Sequence, residues 1–262
     1  MKIVSWTICN TEIDFIPFIV QEHLNIIDVQ YYLDTGSLDG TLEYLQEQAI
    51  KYPGKIIVEK YHESYQVQWD VEWREMNNPF PECDVRNFAI NRVKQLCPDA
   101  AWLIQLDADE VFLPEVRNTI ERNKDKFSIS HPTLSPVGVL TPPKEFEFRN
   151  GFWLFDPHVR LWNANAPIEY CLNPSMRGKQ FHCVPVFKGT RTHLYDTFTN
   201  IFVPDYIHIH LHWLYGKKLD AFMAKKGITT KDGIVKETGE LNEYGRMLPK
   251  SIIDKYQQWR KT

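Results

Sequence analysis

The run Ala101-Trp102-Leu103-Ile104-Gln105-Leu106, ending in Asp107-Ala108-Asp109-Glu110, constrains this chain more than any other stretch. Its near-continuous apolarity suits a strand buried on both faces, as in the middle of a parallel sheet. The strand then finishes with three carboxylates in four positions. Like charges this close repel and raise one another's pKa unless a cation or hydrogen-bond donors sit among them. A positive partner is therefore expected at this strand end.

The preceding residues alternate strand and helix. Ile3 to Cys9 reads as a strand and Glu12 to Ile27 as an amphipathic helix with Pro17 near its start. Val29 to Leu33 reads as a strand ending at Asp34, Leu42 to Ala49 as a helix, Lys55 to Val58 as a strand and Val85 to Leu96 as a helix; residues 62–82, rich in aromatics, read as a loop or insertion. This alternation predicts an α/β fold with a mostly parallel central sheet flanked by helices. Ligands collect at the carboxyl ends of such strands, so Thr11, Asp34 and Asp107, each following a strand, are expected to share one crevice.

After Pro114 short extended pieces run from Phe127 to about Trp213, and the tail from Lys217 is charged and mainly helical. With no internal repeat or low-complexity linker, residues 1–262 are expected to form a single domain, divided into 1–114, a smaller mixed half at 115–214 and a helical tail at 215–262.

A hydrophobic content of 43% supports a sizeable core, and a net charge of −4 gives no reason to expect stable nucleic-acid binding. The five cysteines, at 9, 83, 97, 171 and 183, form no C-x-x-C pair, so a disulfide framework or structural zinc is not expected. The N-terminus turns polar too soon for a signal peptide, and no apolar run reaches the ~18 residues of a membrane span. A cytoplasmic protein without a transmembrane segment is expected.

"LDTGSLDGT", Leu33 to Thr41, joins a strand-terminal carboxylate to two glycines and a second carboxylate, Asp39, placed to cap the next helix. It is either a strand-to-helix turn or a ligand loop. Two carboxylates one residue apart, Asp107 and Asp109, can share a hard cation such as Mg2+ or Mn2+ that keeps positions open for phosphate oxygens. In "YIHIHLHW", Tyr206 to Trp213, strand alternation places His208, His210 and His212 on one face.

Taken together, "ICNTE", "DTGSLDGT", "VRNFAINRV" and "WLIQLDADE" resemble the family-2 glycosyltransferases of the GT-A fold over roughly the first 115 residues. The resemblance implies a Rossmann-like nucleotide-sugar-binding half, metal-dependent transfer of a sugar from a nucleotide-diphosphate-sugar donor to an acceptor hydroxyl, and inversion. It implies donor-binding roles for Thr11, Glu12, Asp34, Arg86 and Asp107, with Asp107 near the ribose or metal shell and Asp109 on the metal. GT-A enzymes often add a C-terminal histidine to the metal; His210 is the first choice, followed by His212 and His208. "DPHVRLW", Asp156 to Trp162, looks like the segment that closes the acceptor side. The general base is sought among Asp156, Glu169 and Glu110.

The expected partners are a nucleotide-sugar donor and a glycan, lipid-linked or other hydroxyl acceptor. Trp69, Trp73, Trp153 and Trp162 are candidates for sugar stacking or core, and the basic stretch Gly216 to Gly227 reads as a solvated helix. The alternatives are a sugar nucleotidyltransferase and a non-catalytic carbohydrate-binding protein.

Overall fold

The structure is a computed structural model that describes residues 1–64, 81–125, 128–132, 148–149, 152–153, 157–172, 183–190, 200–202, 208–211 and 250–259. Strands β1 (Ile3–Cys9), β2 (Val29–Asp34), β3 (Ile56–Lys60) and β4 (Trp102–Asp107) pair in parallel, as the alternation predicts. β5 (Glu110–Phe112) and β6 (Ser128–Pro132) follow, then the short pair β7 (Phe148–Arg149) and β8 (Phe152–Trp153). β9 (Pro157–Asn163), the hairpin β10 (Ile168–Leu172) and β11 (Cys183–Phe187), β12 (Asn200–Phe202) and β13 (His208–His210) complete the strands among the described residues.

The main sheet has seven strands in the order β12-β6-β9-β4-β1-β2-β3. β9 runs antiparallel to both its neighbours, so the sheet is mostly parallel rather than wholly so. The chain first builds outward from β1 to β3 and then returns to lay β4 on the other side of β1. The strand order reverses between β1 and β4, where a crevice opens in such sheets.

Among the described residues the helices are α1 (Ile16–His23), α2 (Thr41–Lys51), α3 (Glu82–Leu96), α4 (Glu115–Arg122) and α5 (Lys250–Trp259). Strand alternation divides the core. Val4, Trp6, Leu33 and Leu103 meet Val85, Ala89, Ile90 and Val93 of α3 on one face. On the other, Cys9 and Tyr32 meet α1 and α2, while Trp102, Ile104 and Leu106 meet α4. α5 packs Ile252 and Tyr256 against Phe18 and Ile19 of α1 and Leu211 after β13.

α1 is shorter than the periodicity predicts. Pro17 is tolerated in its first turn because the missing N–H is unpaired there in any case. The amides of residues 11–13 are tied instead to Ser37, Thr41 and Asp39 beyond β2. β5 was not foreseen: three residues are too few for a periodic signal, and its partner β13 lies almost 100 residues away. Trp162 is fully buried against Trp6 and Tyr170, so it is core. Trp69, Trp73 and the stretch 216–227 lie outside the described residues. Among the described residues, no helix is long and apolar enough to cross a membrane.

Candidate functional site

Register brings the carboxyl ends of β1, β2 and β4 to one edge: Cys9 lies opposite Asp34, and Ile8 opposite Asp107. The loops beyond β1 and β2 are knitted together there. Asn10 Nδ2 donates to Thr35 Oγ1 at 3.0 Å, the Thr11 amide to Ser37 Oγ at 2.9 Å, and the Glu12 amide to Thr41 Oγ1 at 3.0 Å. Asp39 accepts from the Ile13 amide at 2.9 Å and from the Thr41 amide and hydroxyl at 3.1 and 2.6 Å. Burial alone would raise the Asp39 pKa, but the Thr41 hydroxyl and these amides outweigh it and hold the carboxyl below its ordinary value.

Thr11 has φ 58°, a left-handed conformation that a β-branched residue adopts at a cost of about 1–3 kcal/mol. Its bonds to the β2 loop offset that strain. Gly36, at φ 114°, permits another close approach: a Cβ there would stand 2.9 Å from Ser64 Cβ.

Asp34 is completely buried at the end of β2. Its Oδ1 accepts from the amides of Gly36 and Ser37 at 2.9 and 3.2 Å. Its Oδ2 is buried and finds no hydrogen-bond partner among the described residues. A buried carboxylate oxygen left this way costs about 1–3 kcal/mol, which a donor group on a ligand would recover.

The end of β4 answers the question raised by its acidic sequence, for the positive partners are arginines. Arg160 of β9 sends Nη2 to Asp107 Oδ2 at 2.8 Å and to Glu110 Oε1 at 2.7 Å. Glu110 Oε2 accepts from the Asp107 amide at 2.8 Å, closing the turn between β4 and β5. Arg86 of α3 lies 3.7 Å from Asp107 Oδ1, donates to Glu82 at 2.8 Å and stands over the Tyr170 ring. Gln105 sits between the two guanidinium groups and the Tyr170 hydroxyl. Only with its amide oxygen toward Arg86 and Arg160, and its nitrogen toward Tyr170, does every donor meet an acceptor.

Burial alone would lower the pKa of both arginines. For Arg86 the charges of Glu82 and Asp107 outweigh it, for Arg160 those of Asp107 and Glu110, and both stay raised and charged. Burial raises the Tyr170 pKa, keeping the phenol neutral. Asn87, next to Arg86, donates Nδ2 to the Tyr170 carbonyl at 2.9 Å and accepts the Tyr170 amide on Oδ1 at 2.7 Å, so α3 grips β10 by its backbone.

The structure brings Thr11, Glu12, Asp34, Arg86 and Asp107 to this edge. Asp109 is buried, and its carbonyl accepts from the Leu211 amide at 2.8 Å. β13 pairs antiparallel with β5, placing His210 opposite Glu110 and His208 opposite Phe112. Two base candidates are otherwise engaged. Glu110 is 1% exposed and committed to Arg160 and the Asp107 amide. Glu169 holds the Gly189 amide at 2.8 Å, and strand alternation puts it on the face of β10 opposite the buried Ile168 and Tyr170. Asp156 and His212 lie outside the described residues. Among the described residues, no three His, Cys, Asp or Glu side chains form a group that could hold a metal ion.

Sequence reasoning passed over Arg160, Gln105, Tyr170 and Asn87. Arg160 stands inside "DPHVRLW" and Asn87 inside "VRNFAINRV". The available signal was strand parity: Gln105 and Asp107 share a face with Leu103, Arg160 shares one with Trp162, and Leu103 and Trp162 both pack in the cluster beneath α3.

No protein-family model matches the chain, and no curated protein does. Among solved structures, residues 1–349 of S. aureus TarS align at 13% identity with a TM-score of 0.41, covering 63% of this chain and 47% of that one. The same fragment in complex with UDP aligns equally. A Bacillus anthracis protein described as a glucose-1-phosphate thymidylyltransferase, in complex with a sucrose, aligns at 10% identity with a TM-score of 0.35, covering 63% of this chain and 72% of that one. This chain thus spans about half the length of the TarS fragment. Likenesses at this level fix neither family nor activity.

Proposed function

We propose that this protein is a glycosyltransferase that takes a sugar from a nucleotide-diphosphate-sugar and moves it to an acceptor hydroxyl with inversion. The observation that carries the reading is the convergence of Thr11, Asp34 and Asp107 at the switch point of the sheet, flanked by Arg86 and Arg160. An edge lined by a buried acceptor oxygen, loop amides and charged arginines suits a ligand with N–H donors at one end and phosphates at the other.

In this reading Asp34 receives a donor N–H from the nucleoside, Thr11 and Glu12 shape the pocket floor, and Asp107 approaches the ribose. Arg86 and Arg160 hold the Asp107 carboxylate in place from two sides. We assign a divalent cation, Mn2+ or Mg2+, to Asp109, with His210 as the candidate second ligand, because Asp107 Oδ2 already accepts from Arg160. When bound, that cation would supply Lewis-acid stabilisation of the departing diphosphate. Because Glu110 and Glu169 are held by Arg160 and Gly189, we assign the base that takes the acceptor proton to Asp156, which precedes β9 in sequence.

The test is a panel of nucleotide-sugars incubated with the protein and Mn2+, with and without glycan and lipid-linked acceptors. Nucleoside diphosphate should appear, faster with the right acceptor. Release of pyrophosphate from a nucleoside triphosphate and sugar phosphate, with no diphosphate from any nucleotide-sugar, would replace transfer by nucleotidyl transfer. Asp109→Asn should abolish turnover without unfolding the chain, and chelator should reproduce that loss in the native protein.

A further inference from the structure

Cys83 and Cys183 are 100 positions apart in sequence, yet α3 and β11, which carry them, are in contact. Cys83 lies in the first turn of α3 and Cys183 opens β11; both are half-buried, free, and packed on the apolar cluster beneath α3. The two thiols share a hydrogen bond. Around them, α3 is joined to the β10–β11 hairpin at a functional place. Arg86 stands one turn along from Cys83, Asn87 grips the Tyr170 backbone, and Cys183 pairs across the hairpin with Leu172, two residues beyond Tyr170.

We propose that Cys83 and Cys183 are a reversible disulfide site that, when oxidised, braces the first turn of α3 against the β10–β11 hairpin beside Arg86 and Tyr170. A disulfide needs its sulfurs about 2.0 Å apart, and thiols already in hydrogen-bond contact close that gap mainly by side-chain rotation.

The two cysteines have unequal roles. The Cys183 thiol donates to the Cys83 sulfur, which lowers the Cys83 pKa against the effect of burial, and Arg86 helps. The same bond, with burial, raises the Cys183 pKa. Cys83, in the first turn of α3 and near Arg86, is placed as the attacking thiolate, with Cys183 as the resolving thiol. With oxidised glutathione as oxidant, the Cys83 thiolate attacks one glutathione sulfur and expels the other half, which takes up a proton. Cys183 loses its proton and attacks the Cys83 sulfur of the mixed disulfide, expelling the second glutathione. Two protein thiols give up two electrons and two protons, and one glutathione disulfide becomes two thiols. Such a bond is compatible with a reducing compartment, where disulfides are transient and responsive rather than structural.

The test treats the full chain with oxidised glutathione and reads intact mass, the disulfide map from non-reducing proteolysis, and amide hydrogen exchange. The native protein should lose two hydrogens, link Cys83 to Cys183, regain both thiols in reduced glutathione, and show slower exchange at Tyr170 when oxidised. Cys183→Ser should stop with one glutathione on Cys83, and Cys83→Ser should resist modification at Cys183. A native chain whose thiols stay free, or that links another pair, overturns the site. A Cys83–Cys183 bond with unchanged exchange at Tyr170 overturns the brace. Neither readout depends on the transferase reading, so the two fail separately.

Discussion

The two carboxylate-bearing ends of the crevice are built by opposite means. At β2, Asp34 is fully buried and held by two loop amides, with one oxygen lacking a partner among the described residues. At β4, Asp107 and Glu110 are held by arginines from distant elements. The first end is made from consecutive residues, and its spare acceptor is available for recognition. The second is assembled by tertiary packing, and its charges are spent largely on one another. One end is therefore suited to reading a ligand and the other to holding the turn that carries Asp109.

The sharpest way to break this comparison is Arg160→Met. It leaves Glu110 as a buried carboxylate without its charged partner, an effect of about 3–5 kcal/mol in urea unfolding. Adding Glu110→Met should restore part of that loss, because it removes the buried carboxylate, though it also removes the acceptor of the Asp107 amide. If the single variant proved as stable as the native protein, the clamp would be incidental.

Asp34→Asn should leave unfolding almost unchanged, since Oδ1 can still accept from Gly36 and Ser37. It should weaken binding of a nucleoside diphosphate by about 1.5–3 kcal/mol, the worth of a hydrogen bond to a charged group, as read by calorimetry. Unaltered affinity would remove Asp34 from recognition.

Acid should act through Asp39. A carboxyl whose folded pKa lies below its unfolded value contributes stability that is present above the unfolded pKa, about 3.9. That contribution is lost as pH falls through the folded value. Asp39→Asn should therefore flatten the acid limb of a stability-against-pH curve, and a curve parallel to the native one would exclude Asp39. The smallest effect is expected at Thr11. Thr11→Gly relieves the φ of 58° but loosens the unfolded chain, so stability should change by about 1 kcal/mol or less while nucleotide affinity falls.

How much was legible follows from how local each feature is. The strand-helix alternation through β4 could be read, as could the placement of Thr11, Asp34 and Asp107 at one edge, because each depends on short-range periodicity and the parallel-sheet rule. The place of Asp39 at the start of α2 could also be read: it holds the Thr41 amide and hydroxyl two residues on, while Gly40 takes the N-cap position itself. β5 escaped notice because it exists only by pairing with β13.

The acidic run by itself required a positive partner at the end of β4, because buried like charges cannot stand alone. Which cations meet that need was decided by the tertiary structure. Antiparallel β9 brings Arg160 from 53 residues away to Asp107, and α3 brings Arg86 to its other side. Charge is a property of residues and shows in a sequence. The partner of a charge is a property of distance, and only the folded chain sets distances between residues so far apart.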